Sequence, residues 1–242
     1  MIDWKAAALA AARANAAYVI DRAASQAAFS ALSDTWIGQF SNASHQAVLS
    51  ADADHETHLS ISGTRASAGK ILDVLCDVSL ESVPVAGGNV TKGVLEGMGD
   101  LWKWVLATIP PGDTVHVAGH SLGASRTHLT PLFLPSSQIG RLHSFEAPKF
   151  VNADYYAAHE AVLAGMVCVL NGKDLWAAWP WKDERWQSRP LADHIWLKDD
   201  TGTFSVIPGT QWPGGLEAAD HDIGRVHTRL EVIAAAQVKT TA

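Results

Sequence analysis

The sequence predicts an α/β fold, with a central mostly parallel or mixed sheet flanked by helices, in a single domain over residues 1–242. Three observations carry that expectation. Alternating, β-branched segments such as TVHVAG (114–119) are interleaved with stretches of helical periodicity through the centre of the chain, an order that places parallel strands beneath covering helices. With 48% hydrophobic residues against 18% charged, 242 residues supply enough apolar surface for one sizeable core. No internal repeat, low-complexity tract or Gly/Ser linker divides the chain.

The elements follow in order. Residues 4–32 are rich in alanine with apolar residues at helical intervals and read as one or two amphipathic helices. The alanine run resembles a secretory leader, but Asp3, Arg13 and a periodicity continuing through Arg22 oppose that reading. The expected location is therefore cytoplasmic, or external by a non-classical route. Residues 46–50 and 57–62 read as paired strands meeting at the acidic turn Asp52–Glu56. A short helix is expected at Lys70–Asp77 and a turn at Gly87-Gly88. One long helix is expected from Lys92 to Ile109, stopped by Pro110-Pro111. The strand at 114–119 runs into a helix from Leu122 to His128, limited by Pro131. Leu142–Glu146 and Met166–Leu170 are further strands, 194–198 and 203–207 a hairpin, and Ile223–Ala236 a closing helix.

Several function classes are excluded at this level. The net charge is −7 and no run of lysine and arginine forms a patch able to neutralise phosphates, so nucleic acid is not an expected partner. The longest uncharged apolar stretches, such as Ala161–Leu170, fall short of the roughly 20 residues of a transmembrane helix. Two cysteines, Cys76 and Cys168, imply no disulfide framework, and Cys168 in GMVCVL reads as a buried thiol. His55 and His58, flanked by Asp52, Asp54 and Glu56, have metal-ligand spacing, but their place on a hairpin turn and the strand after it, far in sequence from Ser121, favours a solvated turn. No phosphate loop or dinucleotide fingerprint follows a strand, and no metal or cofactor is expected.

Chemistry concentrates in Gly119-His120-Ser121-Leu122-Gly123, a G-x-S-x-G pattern. Chance alone produces the pattern in about one chain in ten of this composition, so its context decides. Here a strand leads in and a helix leads out, which raises the Ser121 hydroxyl on a strained turn that needs glycine on both sides. Serine requires a base held by a carboxylate, in the chain order Ser, Asp/Glu, His. His221, in a loop just before the closing helix, fits the base best; His227 within that helix and His194 at a strand start are alternatives. Asp174 follows the strand GMVCVL and fits the acid, while Asp154, Asp183, Asp193 and Asp220 read more simply as solvated loop or cap residues.

The same landmarks carry a resemblance. HLSISGT (58–64), VAGHSLGAS (117–125), HSFEAPKFVN (143–152), VCVLNGKDLWAAWP (167–180) and the DHDIGRV segment occur in the order found in fungal-type, class 3 lipases, and the chain resembles that family over most of its length. The resemblance implies the α/β-hydrolase fold, an oxyanion hole formed by the N–H groups of Thr64 and Leu122, and a helical lid from Arg65 to about Ser82. The chain departs from the family pattern at Ser62, Ala124, Glu146-Ala147-Pro148 and Lys92-Gly93-Val94. Six of the ten tryptophans lie between Asp174 and His221, and Trp176, Trp179 and Trp181 are expected to border an acyl or aryl pocket. The function expected is that of a serine carboxylester hydrolase, a lipase or esterase acting on small-molecule or lipid esters with contact at a lipid interface. Alternatives are a phospholipase or acyltransferase with the same triad, or a catalytically idle binding module.

Overall fold

Two short helices open the chain because each is capped by an aspartate. Asp3 accepts the N–H of Ala6 ahead of α1 (Trp4–Ala16), and Asp21 that of Ala24 ahead of α2 (Arg22–Ala31). The computed structural model describes residues 2–42, 46–64, 78–190, 192–209 and 215–240. The helix expected at Lys70–Asp77 lies outside the described residues, as do Cys76 and most of the expected lid.

The main sheet has eight strands. In chain order they are β1 (Thr35–Ser41), β2 (Gln46–Ala51), β3 (Thr57–Ile61), β6 (Val115–His120), β7 (Ile139–Phe145), β8 (Val167–Asn171), β9 (His194–Leu197) and β10 (Phe204–Ile207). They lie side by side in that same order. The central run β3-β6-β7-β8-β9 is parallel; β1, β2 and β10 add antiparallel edges, so the sheet is mixed. The hairpins expected around Asp52–Glu56 and between 198 and 203 both form.

Three elements differ from expectation. Edge strand β1 is half-exposed, with its apolar residues Trp36, Ile37 and Phe40 in no clean alternation, which hides it from a period-two reading. A separate hairpin, β4 (Ser82–Val85) and β5 (Gly88–Thr91), surrounds the Gly87-Gly88 turn. The long helix expected at 92–109 is two helices, α3 (Lys92–Leu95) and α4 (Met98–Thr108). Gly97 between them adopts φ 71°, a left-handed conformation that a helix cannot pass through.

Each face of the sheet is covered. Helix α1 packs with the closing helix α8 (Ile223–Thr240) on one face, where Ala10, Ala11 and Ala14 let the helices approach and Ala118, Phe145, Val169 and Ile195 complete the layer. The opposite face buries Leu49, Leu59, Val115 and Val117 against Leu101, Trp102 and Val105 of α4. Cys168 is buried, and burial pushes its thiol up to about 12. Among the described residues, no helix is long and apolar enough to cross a membrane.

The opposite end of the sheet corrects the reading of His58. It is buried on β3 rather than solvated in a turn. Its Nδ1 accepts from Arg13 Nη1 at 3.4 Å and its Nε2–H donates to Asp52 at 2.9 Å. His55 alone occupies the exposed turn, at φ 63°. Asp52, Glu56 and His58 offer ligand atoms within 4.8 Å of one another, but the guanidinium at Nδ1 puts the His58 proton on the nitrogen a metal would need.

Candidate active site

Strand β6 ends at His120, and helix α5 (Leu122–Thr127) begins one residue after Ser121. Ser121 joins them at φ 57°, ψ −127°, a strained geometry held by its N–H donating to the Phe145 carbonyl at 3.0 Å. The flanking glycines are obligatory. A Cβ at 119 would lie 2.3 Å from the Gly123 carbonyl oxygen, and one at 123 would lie 2.3 Å from that of Ile61. Turn, strand and helix therefore fix the hydroxyl at the carboxyl end of a central strand.

The three residues expected to form a triad meet there. Ser121 Oγ–H donates to His221 Nε2 at 2.8 Å, and His221 Nδ1–H donates to Asp174 Oδ2 at 3.0 Å. Asp174 leaves the loop after β8, its Oδ1 accepting the Trp176 N–H at 2.9 Å and its Oδ2 that of Ala177 at 3.2 Å. His221 follows a short 3-10 turn (Ala218–Asp220) ahead of α8. All three side chains are buried, and a cleft of about 410 Å³ opens beside them, bordered by Tyr18, Thr64, Ser121, His221 and Ile223.

The acid and histidine loops are clamped to each other. Asp220 accepts the Lys173 N–H at 2.8 Å, its carbonyl accepts from Asn171 Nδ2 at 2.7 Å, and the Glu217 N–H donates to the Lys173 carbonyl at 2.9 Å. Arg225 pairs with Asp220, and Arg229 with Asn171. Asp220 is thus a buried brace rather than a solvated loop acid. Asp154 and Asp193 are exposed and Asp183 caps a 3-10 turn, while His227 faces Glu231 along α8 and His194 bonds the Ala192 carbonyl on β9. None of these joins the triad.

The residues expected around the reaction are placed as follows. Thr64 borders the cleft, its Oγ1 buried with no hydrogen-bond partner among the described residues, and Leu122 opens α5, where first-turn N–H groups lack intrahelical acceptors. Trp176 is buried with its ring 6.4 Å from that of His221, edge-on; Trp181 packs on Trp176 at 6.2 Å, and Trp179 packs on Phe150 at 5.3 Å. None of the three tryptophans borders the cleft beside Ser121; Trp176 instead backs the imidazole. The loop after Asp174 turns Trp176 and Trp179 into the core, while Trp181 stays exposed beside Trp176.

Sequence reasoning missed a second polar group behind the triad. His120 lies between Tyr18 and Glu146, with Nδ1 2.6 Å from Tyr18 Oη and Nε2 3.1 Å from Glu146 Oε2. Glu146 Oε2 is 4.0 Å from His221 Nδ1. Burial, and then the charge of Asp174, hold the Glu146 carboxyl well above its usual range; burial, and then His221, hold His120 well below its own. His120, Glu146 and His221 place ligand atoms within 4.8 Å of one another, yet their nitrogens are committed to Ser121, Asp174 and Tyr18. Only Glu146, a charged residue in the strand segment SFEAP, carried a signal in the sequence.

Compared by sequence, the chain matches no family model and no curated protein. Compared by structure, it is similar to triacylglyceride lipase of Rhizomucor miehei: TM-score 0.70 at 18% identity, covering 95% of this chain and 98% of that one. Lipase II of Rhizopus niveus aligns at TM-score 0.67 and 15% identity over 90% of this chain and 92% of its own. Triacylglycerol lipase of Penicillium expansum aligns at TM-score 0.62 and 15% identity over 86% and 84%. The chain has the fold of the fungal triacylglycerol lipases. Within that α/β-hydrolase fold Ser121 occupies the turn at the carboxyl end of a central strand, and Asp174 and His221 come from loops beyond later strands.

Proposed function

We propose that the protein is a serine carboxylester hydrolase, acting through an acyl-enzyme on lipid or other carboxylic esters. The single observation that carries this reading is the unbroken hydrogen-bond line from Ser121 Oγ through His221 to Asp174 Oδ2, at 2.8 and 3.0 Å. In the reaction His221 Nε2 takes the Ser121 proton as Oγ attacks the ester carbonyl, and Asp174 keeps the second imidazole proton on Nδ1 and balances the positive charge. The N–H groups of Thr64 and Leu122 receive the negative charge on the carbonyl oxygen; one such donor is typically worth about 3 kcal/mol. His221 then gives its proton to the leaving alcohol, and a water activated by the same imidazole releases the acid.

A lipid-like substrate is favoured by the rim. Trp181 is 43% exposed and Leu216 71% exposed, on the two loops that carry Asp174 and His221, so each of those loops offers an apolar side chain to an acyl chain or lipid surface. A phospholipase or an acyltransferase would share the first half-reaction and differ in substrate or acceptor.

The test is Ser121→Ala. It should abolish hydrolysis of p-nitrophenyl butyrate and labelling by a fluorophosphonate, with the thermal midpoint essentially unchanged, since only one hydroxyl is removed. Retained turnover or labelling in the variant would refute the reading, and a wild-type protein inert to both reagents would favour an idle binding module.

A further inference from the structure

The turn carrying Thr64 is tied on one side to β2, where the Ser62 N–H and Oγ–H both donate to the Gln46 carbonyl, and on the other to Tyr18. The Gly63 N–H donates to Tyr18 Oη at 2.9 Å. Gly63 packs between that hydroxyl and the nucleophile: a Cβ at residue 63 would be 2.5 Å from Tyr18 Oη and 2.7 Å from Ser121 Cβ. Behind Tyr18 the line continues through His120 to Glu146.

Glu146 is a costly residue at this position on two counts. Its backbone adopts φ 57°, a conformation glycine enters freely and glutamate does not, and its side chain is fully buried, with no partner for Oε1 among the described residues. An ionised carboxylate there would have a single hydrogen bond and a neighbouring carboxylate across His221, so the neutral acid is the form the site accommodates.

A neutral acid sets the direction of the whole line. Glu146 Oε2–H donates to His120 Nε2, which leaves the one imidazole proton on Nδ1; Nδ1–H donates to Tyr18 Oη. Tyr18 Oη then accepts both that proton and the Gly63 N–H, and its two lone pairs are used. Removing Glu146 leaves His120 Nε2 without its partner, so the imidazole is free to change tautomer and to rotate, and the Tyr18 hydroxyl that holds the Gly63 N–H loses its fixed support.

We propose that Glu146 is a positioning residue for the oxyanion turn, acting through His120 and Tyr18 to fix the Gly63–Thr64 amides against Ser121. The inference rests on the hydrolase reading and deepens it: the residue never touches substrate, yet it governs how tightly one of the two oxyanion donors is held.

The test compares Glu146→Gly, Glu146→Gln, Tyr18→Phe and the Glu146→Gly/Tyr18→Phe double variant of the full chain with p-nitrophenyl butyrate. Glycine suits the backbone at 146, so Glu146→Gly removes the side chain without new strain. Glu146→Gly and Tyr18→Phe should each lower kcat about tenfold or more, with KM within about twofold, and the double variant should be no slower than Tyr18→Phe alone. Glu146→Gln, whose amide N–H donates in the same direction as the acid, should recover kcat to within about threefold of wild type. Nitrogen-15 shifts of His120 should place its proton on Nδ1 in wild type and in Glu146→Gln but not in Glu146→Gly, a readout independent of turnover. A Glu146→Gly kcat within twofold of wild type, multiplicative losses in the double variant, or a wild-type proton on Nε2 would each overturn the proposal. A wild-type protein inert to the ester and to fluorophosphonate would instead sink the hydrolase reading, and the His120 shifts would then judge the hydrogen-bond line by themselves.

Discussion

Replacing Asp174 with asparagine tests the triad at its least replaceable bond. Oδ1 accepts the Trp176 N–H at 2.9 Å, while Oδ2 accepts both the Ala177 N–H at 3.2 Å and His221 Nδ1–H at 3.0 Å. Asparagine has one acceptor for these positions. Keeping its oxygen on the shorter Trp176 bond turns the amide NH₂ toward His221 Nδ1. That nitrogen must then accept, so the imidazole proton moves to Nε2, facing Ser121 Oγ 2.8 Å away. A protonated Nε2 cannot take the serine proton. Loss of the correct tautomer in a triad costs about 10⁴ in kcat, equivalent to about 5.5 kcal/mol of transition-state free energy. Glu146 does not substitute, because its Oε2 is 4.0 Å from Nδ1, beyond hydrogen-bond reach, and faces His120. The assay is steady-state hydrolysis of p-nitrophenyl butyrate, with the rate of fluorophosphonate labelling as a second measure of Ser121 nucleophilicity. Asp174→Asn activity within tenfold of wild type would refute the assignment of Asp174 as the orienting acid, and adding Glu146→Gln would then reveal whether the second carboxyl had moved into its place.

Two further predictions concern stability. Burial holds His128 and His143 down to about 3 and His116 and His194 to about 4, so these imidazoles stay neutral in the fold while the unfolded chain protonates them below about 6.5. The unfolded state then binds more protons. Their contribution is fully present above about pH 6.5 and is lost as pH falls, down to about 4 for His116 and His194 and to about 3 for His128 and His143. Urea midpoints followed by tryptophan fluorescence should therefore drop steeply between pH 6.5 and 4.5, and a flat midpoint across that window would contradict the buried-neutral assignment. Asp34→Ala should cost about 3–5 kcal/mol. It removes both carboxylate acceptors of Arg13, bonded at 2.6 and 2.7 Å, and the Ser50 hydroxyl's partner, leaving a buried guanidinium with only the 3.4 Å bond to His58 Nδ1 among the described residues; a loss under about 1 kcal/mol by chemical denaturation would show that water reaches Arg13.

The parts of the molecule legible in the sequence are those governed by local rules. The elbow at Ser121 was readable because a sharp strand-to-helix turn tolerates only glycine at 119 and 123, and the acid and base because loops beyond later strands are where a sheet of this kind presents side chains. The rest depended on distant contacts. Tyr18 lies 102 residues from His120, and nothing in the alanine-rich opening marks its hydroxyl as an acceptor for Gly63. The tryptophans after Asp174 are ambiguous for a related reason: their size fits a ligand pocket and a core equally well, and only the path of the loop decides for each, placing Trp176 against His221, Trp179 in the core and Trp181 at the surface. The strand that carries His58 is legible, but its burial is not, because the side chain is covered by Arg13 from the distant first helix.

The burial of the whole site explains why so much neighbouring structure is needed to hold it. Ser121, Asp174 and His221 are each less than 5% exposed, so water contributes little to fixing their geometry, and a buried polar group whose partner drifts loses its hydrogen bond without replacement. Two independent ties prevent that drift. On the base side, Asp220 and Asn171 lock the acid loop to the histidine loop; on the nucleophile side, Gly63, Tyr18, His120 and Glu146 lock the oxyanion turn to β6 and β7. The ties meet only at the triad. A perturbation on the first should therefore act on proton transfer and one on the second on charge stabilisation, and pairs drawn one from each side should lose activity multiplicatively, whereas pairs drawn from one side should not.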